Sequence, residues 1–256
     1  MIPKTLHYVW LGKGEPSPSV KRCIDSWKKV MPEYSIKCWN EDNFDINSVI
    51  WVKEAIEKKK WALASDYIRL HALYTEGGIY LDTDVMAYKP LNEFLKYDFF
   101  TSVEYHPEIF ERNGIKQLTS DYLPINKDDT IDGLGLLSAA FGSAKGNQYI
   151  KECMDYYKDR HFIKNNGSLD EIFIIPAIMS KILINYGFRY KDEEQLLNGN
   201  MIILPSNILA GNPKTRTKES YLMHWCDSSW RDSDTISFKR RISLFLKRTF
   251  PYIFRR

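Results

Sequence analysis

The run from residue 65 to residue 84 constrains the fold most, because it joins a helix, a glycine stop and a strand that ends in two carboxylates. Helical spacing of apolar residues predicts a helix from Trp61 to Thr75, and Gly77-Gly78 ends it. Ile79-Tyr80-Leu81 predicts a short buried strand. Asp82 and Asp84, two apart in extended chain, direct their carboxylates to one side. Since adjacent acids repel unless a cation compensates them, the run predicts a Mg²⁺ or Mn²⁺ site that also holds a phosphate.

Two ordinary explanations stand beside this prediction. An Asp-x-Asp triplet is common in loops, where aspartate caps backbone groups and helps the chain turn. Asp66 and Arg69 lie three apart on one helical face, which is also the spacing of a structural ion pair. The glycine stop and the buried strand next to both motifs favour a binding site.

The first hundred residues alternate strand and helix patterns. Leu6 to Trp10 predicts a strand that Gly12 and Gly14 close, and a helix follows Ser17-Pro18. Residues 36–39 predict a second strand, and residues 49–60 a second helix. This order predicts an α/β sheet with helices on both faces, where ligands bind at the carboxyl ends of the strands. We expect one domain over residues 1–237.

The second half gives a weaker pattern. Residues 104–132 lack clear periodicity and carry two prolines and a glycine, so we expect a functional loop that forms the lid on the acceptor side. An apolar segment at residues 134–141 leads to an amphipathic helix at 148–157. A further helix is predicted at 170–185, kinked or broken at Pro176, and residues 202–204 predict the last strand.

Composition excludes several classes. The chain has 256 residues and 44% hydrophobic content, which suits a globular protein. Its four cysteines contain no C-x-x-C pair, so neither a zinc ribbon nor a disulfide framework is predicted, and a reducing cytosol fits best. We expect neither a signal peptide nor a transmembrane helix, because no run of about 18 apolar residues occurs.

The C-terminal residues 238–256 differ from the rest. They hold seven of the 36 basic residues and no acid, which leaves 29 basic against 33 acidic residues elsewhere. A uniformly basic nucleic-acid surface is therefore not expected. Because basic residues alternate with isoleucine, leucine and aromatic residues here, the segment predicts reversible attachment to an anionic membrane surface. A C-terminal helix packed on the body is the alternative.

Several motifs together resemble glycosyltransferase family 32, the Och1-like and capsular-polysaccharide sugar transferases, which are also related to the clostridial glucosylating toxins. The matching segments cover most of the first hundred residues and return in the last quarter. They are Ile2-Pro3-Lys4, His7-Tyr8-Val9-Trp10-Leu11-Gly12, Ser65-Asp66-x-x-Arg69, Gly77-Gly78-x-Tyr80-x-Asp82-x-Asp84, His224-Trp225 and Ser229-Trp230.

The resemblance implies a GT-A fold, a mixed sheet with helices on both faces, and metal-dependent transfer of a hexose from a nucleotide sugar with retention of configuration. The donor implied is UDP-linked and the metal Mn²⁺ or Mg²⁺. The acceptor we expect is a saccharide, on a polyprenyl diphosphate lipid, in capsule or exopolysaccharide synthesis. Such an enzyme would be cytoplasmic and attached peripherally to the inner face of the cell membrane through residues 238–256.

The resemblance also implies residue roles. Asp84 is the direct metal ligand, and Asp82 reaches the ribose and, through water, the metal. Asp66 and Arg69 bind the donor hexose. Trp10 stacks on the uracil ring while Val9 offers backbone groups to the base edge, although core packing would also explain Trp10.

Four further positions complete the expected site. Tyr80 lies beside the cofactor, and Ser229 and Trp230 close over the pyrophosphate, with the Trp230 indole N–H reaching the leaving oxygen. His224 is a third metal or phosphate ligand, or else an ordinary packed residue. No residue stands out as a nucleophile, so a front-face mechanism is our hypothesis.

Two other classes remain open on sequence. A phosphohydrolase of the haloacid dehalogenase type also places Asp-x-Asp after a strand, but Gly-Thr usually follows its nucleophile, whereas Val85-Met86 follow here. A non-catalytic sugar-binding protein would keep the same aromatic and acidic residues without turnover.

Overall fold

A computed structural model describes residues 1–127, 129–170 and 175–226. Six α-helices lie in this described part of the chain: α1 (Pro18–Val30), α2 (Ile50–Glu57), α3 (Trp61–Glu76), α4 (Pro107–Arg112), α5 (Gln148–Asp155) and α6 (Ile175–Leu183). The strands described are β1 (Thr5–Val9), β2 (Ser35–Trp39), β3 (Gly78–Leu81), β4 (Val85–Ala87), β5 (Phe99–Tyr105), β6 (Leu134–Ser143), β7 (Gln195–Leu197), β8 (Met201–Leu204), β9 (Leu209–Ala210) and β10 (Leu222–His224).

Seven strands form the central sheet, in the order β2-β1-β3-β6-β5-β8-β7. The pairs β1·β2, β1·β3 and β5·β8 are parallel, whereas β6 and β7 run antiparallel to their neighbours. The carboxyl ends of β1, β3, β5 and β8 therefore meet at one edge of the sheet. A smaller sheet, β4-β10-β9, follows the end of β3.

Both faces of the central sheet are covered. Along β3, Ile79 and Leu81 pack into one core cluster with Trp27 of α1, while Tyr80 packs into the other with Ile68 of α3. Successive strand residues point to opposite faces, so this alternation places α1 and α3 on opposite sides of the sheet. The predicted mixed α/β fold with helices on both faces is confirmed.

The glycine stop before β3 is built as the sequence predicts. Gly77 and Gly78 have φ angles of +71° and +116°, which side chains of other residues rarely tolerate. The Gly77 carbonyl accepts a hydrogen bond from the buried His7 ring, Nε2 to O 2.8 Å. Trp39 Nε1 donates to His7 Nδ1 at 3.0 Å, and because an indole only donates, the proton of the neutral imidazole lies on Nε2. This network connects β1, β2 and the start of β3.

One expectation for the second half is corrected, and another stays a prediction. The segment 104–132 contains α4 and a 3₁₀ helix, Gly114–Gln117, so it is not structureless. The description of α6 begins at Ile175, directly after residues that the structure does not describe, so the kink or break expected at Pro176 stays a prediction. The start of the helix predicted from residue 170 falls partly in 171–174, outside the described residues.

Among the described residues, no helix combines the length and the apolar character that are needed to span a membrane. The proposed membrane-association segment, 238–256, and the end of the expected 1–237 domain lie outside the described residues, so both stay predictions.

Candidate active site at the carboxyl ends of the strands

The Asp-x-Asp motif forms the turn that leads from the central sheet to the small one. The Asp82 N–H donates to the Ala139 carbonyl of β6 at 2.7 Å, and the Asp82 carbonyl accepts from Val85 N at 2.9 Å. The Asp84 carbonyl accepts from Trp225 N at 3.1 Å. The backbone of both aspartates is therefore fixed, and their side chains stand at the ligand-binding edge of the sheet.

His224 joins this pair from a distant part of the chain. It ends β10, directly opposite Val85 of β4, and its Nε2 lies 3.1 Å from Asp84 Oδ1. One ligand atom each from Asp82, Asp84 and His224 lie within 4.8 Å of one another. Two carboxylate oxygens and one imidazole nitrogen suit Mn²⁺ or Mg²⁺, so the donor set fits the metal that the sequence predicts.

Burial and neighbouring charges shift the pKa values of these groups. Burial raises the pKa of Asp82, the Arg69 charge opposes that rise and the Asp84 charge adds to it. Burial lowers the pKa of His224, but Asp84 and Cys226 outweigh burial and hold it well above its ordinary value. His224 therefore lies where it can compensate the charge of the acidic pair, a role that a bound divalent cation could also fill.

Arg69 is the centre of the polar network below the motif. Its Nη2 contacts Asp66 Oδ1 at 3.1 Å and its Nη1 contacts Asp82 Oδ1 at 3.4 Å. The same guanidinium donates to the Ser138 carbonyl at 2.9 Å, to Ser65 Oγ at 2.9 Å and to the Ser65 carbonyl at 3.3 Å. Three hydrogen bonds and two ion pairs thus surround the guanidinium, and Arg69 connects α3 to β6 and to the first aspartate of the motif.

Asp66 and Tyr80 complete that network. Burial raises the pKa of Asp66 to about 6, against the opposing charge of Arg69. The buried Tyr80 hydroxyl donates to Asp82 Oδ1 at 2.7 Å, and Arg69 Cζ lies 4.6 Å from the centre of the Tyr80 ring. Tyr80, expected beside the cofactor, thus supports Asp82 from below. Roles of Asp66 and Arg69 in sugar binding stay predictions.

The end of β1 places the expected base-binding residues at the same edge. Val9 is buried, and the Trp10 backbone N–H donates to the Trp39 carbonyl at 2.9 Å. Trp10 Nε1 donates to the Gly14 carbonyl at 2.6 Å, which holds the loop between them. Stacking of Trp10 on uracil stays a prediction, while core packing alone does not describe this half-buried ring.

Three residues contribute to the site that the sequence did not predict. Ser138 offers only its carbonyl, so no side-chain pattern could reveal it. The Trp61 indole lies against Gly12, where a built Cβ would be 3.2 Å from the ring, and this brings a second tryptophan to the loop after β1. Cys226 Sγ lies 3.5 Å from His224 Nδ1. Ser229 and Trp230, expected to close over the pyrophosphate, lie outside the described residues.

Residues 17–101 match a known protein family, described as the glycosyltransferase sugar-binding region containing a DXD motif. The matched segment includes Asp66, Arg69, Asp82 and Asp84. The expected resemblance to DXD-containing sugar transferases is therefore confirmed, and residues 17–101 are the part of this chain that is similar to their sugar-binding region.

Individual relatives agree with that assignment. The chain is 30% identical over 125 residues to an uncharacterized glycosyltransferase of Acanthamoeba polyphaga mimivirus, covering 45% of this chain and 49% of the relative. It is 30% identical over 103 residues to inositol phosphoceramide mannosyltransferase 3 of Schizosaccharomyces pombe, covering 38% of this chain and 28% of the relative. The chain thus spans half or less of the length of these relatives. Among solved structures, PaToxG glycosyltransferase is similar with a TM-score of 0.47 and 19% identity, over 72% of this chain and 69% of that one.

Proposed function

We propose that this protein is a metal-dependent, retaining hexosyltransferase that moves a sugar from a nucleotide donor, UDP-linked, to a saccharide acceptor. The observation that carries the proposal is the cluster of Asp82, Asp84 and His224, whose ligand atoms lie within 4.8 Å of one another beside the buried Asp66–Arg69 pair. The match of residues 17–101 to a glycosyltransferase sugar-binding region supports the same activity.

Each residue has a definite task in this proposal. Asp84 and His224 would hold Mn²⁺ or Mg²⁺, and Asp82 would face both the metal and the ribose. The bound cation would supply a Lewis acid that stabilises negative charge on the departing diphosphate. Arg69 fixes Asp82 and Asp66 in place, and because Tyr80 and Arg69 both contact Oδ1 of Asp82, its Oδ2 is left to meet a ligand hydroxyl.

The transfer we propose takes place on one face of the donor sugar. The acceptor hydroxyl attacks the anomeric carbon while the carbon–oxygen bond to the diphosphate breaks, and the hydroxyl proton passes to the departing phosphate oxygen. Among the described residues of the motif region, Asp66 and Asp82 are both held by Arg69, which argues against a free carboxylate nucleophile. A glycosyl-enzyme adduct trapped and seen by mass spectrometry would contradict this mechanism.

We further propose that the acceptor is a lipid-linked oligosaccharide of capsule or exopolysaccharide synthesis, used at the cytoplasmic face of the membrane. The support is the composition of residues 238–256, whose seven basic and many apolar side chains suit an anionic lipid surface. Deleting these residues should abolish binding to liposomes that contain phosphatidylglycerol. Unchanged binding would remove this part of the proposal.

The activity test is release of UDP or GDP from a panel of nucleotide sugars in the presence of Mn²⁺. The panel holds UDP-glucose, UDP-galactose, their N-acetylated forms and GDP-mannose, the last because one relative is named a mannosyltransferase. Asp84→Asn keeps the shape of the side chain but removes its charge, so we expect kcat/KM to fall by at least about 100-fold. Asp25→Asn, an exposed aspartate of α1, is the matched control and should retain activity.

Three results would contradict the transferase assignment. Donor binding without any turnover would indicate a sugar-binding protein. Release of inorganic phosphate from simple phosphomonoesters would indicate a phosphohydrolase. Full activity of the Asp84→Asn variant, or of the wild type in EDTA, would exclude the metal-dependent mechanism.

A further inference from the structure

A second binding site lies at the same edge of the central sheet, beyond the Asp-x-Asp motif. An open cleft of about 220 Å³ is present where β5 ends and β6 begins. Its walls combine four aromatic rings with two carboxylates: Tyr105, Phe110, Tyr122, Tyr190, Asp192 and Glu193. None of these residues takes part in the metal cluster or in the Asp66–Arg69 network.

The position of the cleft follows from strand register. Tyr105, the last residue of β5, lies opposite Leu134, the first residue of β6, and both line the cleft. The same strand β6 passes Asp82, whose N–H donates to the Ala139 carbonyl. Leu134 and Ala139 are five residues apart, so the cleft lies roughly 15 Å from Asp82 along the strand.

The aromatic walls are held in fixed orientations. The Tyr105 and Phe110 rings meet edge to face with centres 5.6 Å apart, so the second ring supports the first. The Tyr190 backbone N–H donates to the Tyr122 carbonyl at 3.0 Å, which ties the two sides of the cleft together. The Tyr122 ring is 40% exposed, and Lys191 Nζ lies 4.4 Å from its centre.

The carboxylates are placed to accept hydrogen bonds. Asp192 accepts from the Ser206 backbone N–H at 2.6 Å and from the Ser206 hydroxyl at 2.7 Å, which anchors it after β8. Glu193 is exposed and pairs with Lys191 at 3.3 Å. A carboxylate accepts from more than one donor, so both acids retain capacity for hydroxyl groups of a ligand.

This combination of walls matches the chemistry of a sugar ring. A pyranose presents C–H groups on its faces, which pack against the electron-rich face of an aromatic ring, and hydroxyls at its edge, which donate to carboxylates. Pockets for drug-sized ligands measure about 300–1,000 Å³. The cleft between β5 and β6 is smaller, so it suits one monosaccharide unit and not a nucleotide sugar.

We propose that this cleft binds one sugar ring of an oligosaccharide acceptor, at a distance from the ring that carries the reacting hydroxyl. The proposal rests on the proposed transferase function and deepens it, because it makes the acceptor an oligosaccharide of at least two units. A monosaccharide would fill either the reaction centre or the cleft, whereas a longer chain reaches both and gains from two linked contacts.

The experiment uses the full chain on an array of bacterial, plant and mammalian oligosaccharides together with their monosaccharides, with Mn²⁺ and UDP present. The strongest oligosaccharide bound is then titrated by calorimetry against the wild type and four variants. Tyr122→Asn removes one aromatic wall at a residue with φ +58°, a backbone angle that asparagine tolerates. Glu193→Gln removes one exposed carboxylate charge.

Ile125→Asn is the matched control, because Ile125 is an exposed apolar residue of the same segment that does not line the cleft. We expect oligosaccharides to bind more tightly than their monosaccharides. The dissociation constant should rise about tenfold in Tyr122→Asn and severalfold in Glu193→Gln, and stay within about twofold in Ile125→Asn. Circular dichroism of each variant checks the fold.

The fourth variant, Asp84→Asn, separates this inference from the proposed function. It should lose nucleotide release and still bind the oligosaccharide, because the cleft lies apart from the motif. Loss of turnover with retained binding supports both proposals. Absence of any oligosaccharide binding by the wild type, or equal affinity of Tyr122→Asn and wild type, overturns the cleft assignment whatever the turnover result.

Discussion

Arg69 shows how one buried residue can organise a site. Its guanidinium pairs with Asp66 and Asp82 and donates to Ser65 and to the Ser138 carbonyl, so a single buried cation sets the distance between a helix, a strand and the Asp-x-Asp turn. The fork of a guanidinium is required for this, since a lysine ammonium offers three donors from one point.

We therefore expect Arg69→Lys to lower both stability and metal affinity. Lysine keeps the charge but leaves buried acceptors of the guanidinium unpaired, at a cost of about 1–3 kcal/mol for each, and Asp82 would lose the contact that orients it. Urea denaturation and Mn²⁺ calorimetry measure the two effects. Arg22→Lys, an exposed position on α1, is the matched control and should change neither. Unaltered stability of Arg69→Lys would show that the network is not structural.

His7 gives a pH-dependent prediction at the same scale. Burial lowers the pKa of His7, against the weaker opposing effects of the Gly77 carbonyl and Glu76. The unfolded chain therefore binds a proton near pH 6.5 that the folded protein does not, so His7 contributes stability at pH 7.5 that is lost as the pH falls below about 6.5. Glutamine can replace the hydrogen bonds but does not titrate.

The stability advantage of wild type over His7→Gln should accordingly shrink between pH 7.5 and pH 5. Taking the difference between the two proteins cancels the titration of every other group, including the raised pKa of Asp66. Urea titrations at four pH values measure it. A difference that is constant, or that grows on acidification, would mean that His7 is charged in the folded state.

At the scale of elements, the turn between α3 and β3 fixes where the aspartates emerge. Gly78 has a φ of +116°, and a built Cβ would lie 2.6 Å from the Thr5 carbonyl oxygen and 2.8 Å from His7 Nε2. Gly146 also has a positive φ, +72°, yet a Cβ there meets nothing within 4 Å. Comparing alanine substitutions at Gly78 and Gly146 therefore distinguishes the cost of backbone strain from the cost of steric overlap.

Gly78→Ala should destabilise the fold by about 2–5 kcal/mol, from strain and overlap together. Gly146→Ala should cost only about 1–2 kcal/mol, because strain acts alone. Equilibrium denaturation compares them. Since β3 carries Asp82 and Asp84 directly after it, Mn²⁺ affinity should fall in the first variant and not in the second. Equal losses of stability in both would contradict the crowding at Gly78.

The elements also show what sequence could and could not predict. Helical spacing, glycine stops and buried apolar runs predicted β1, α2, α3 and β3, since local preference and burial agree there. The strands β9 and β10, two and three residues long, carry too little pattern to be recognised, and only pairing with distant chain forms them. The acids of the site were visible as a motif, whereas the Ser138 carbonyl and the cleft residues meet only through tertiary packing.

For the whole molecule, the cluster at the motif connects two sheets. Asp82 follows β3 of the central sheet, while His224 ends β10 of the small sheet. The sequence alone left His224 either as a ligand or as a packed residue. A cation held by both would link segments about 140 residues apart and stabilise the docking of β4-β10-β9.

Metal binding should therefore slow hydrogen exchange in β10 specifically. If opening of the small sheet releases the cation, exchange slows by as much as the factor 1 + [Mn²⁺]/Kd, which is about 100-fold at a hundred times Kd. Mass spectrometry of peptides covering Leu222–His224 measures this, with β7 (Gln195–Leu197) at the far edge as the internal reference. Asp84→Asn should abolish the effect. Only a ligand shared between the two sheets can selectively slow the opening of one of them. Equal protection of β7 and β10, or protection that survives in Asp84→Asn, would therefore place the bound cation away from the motif.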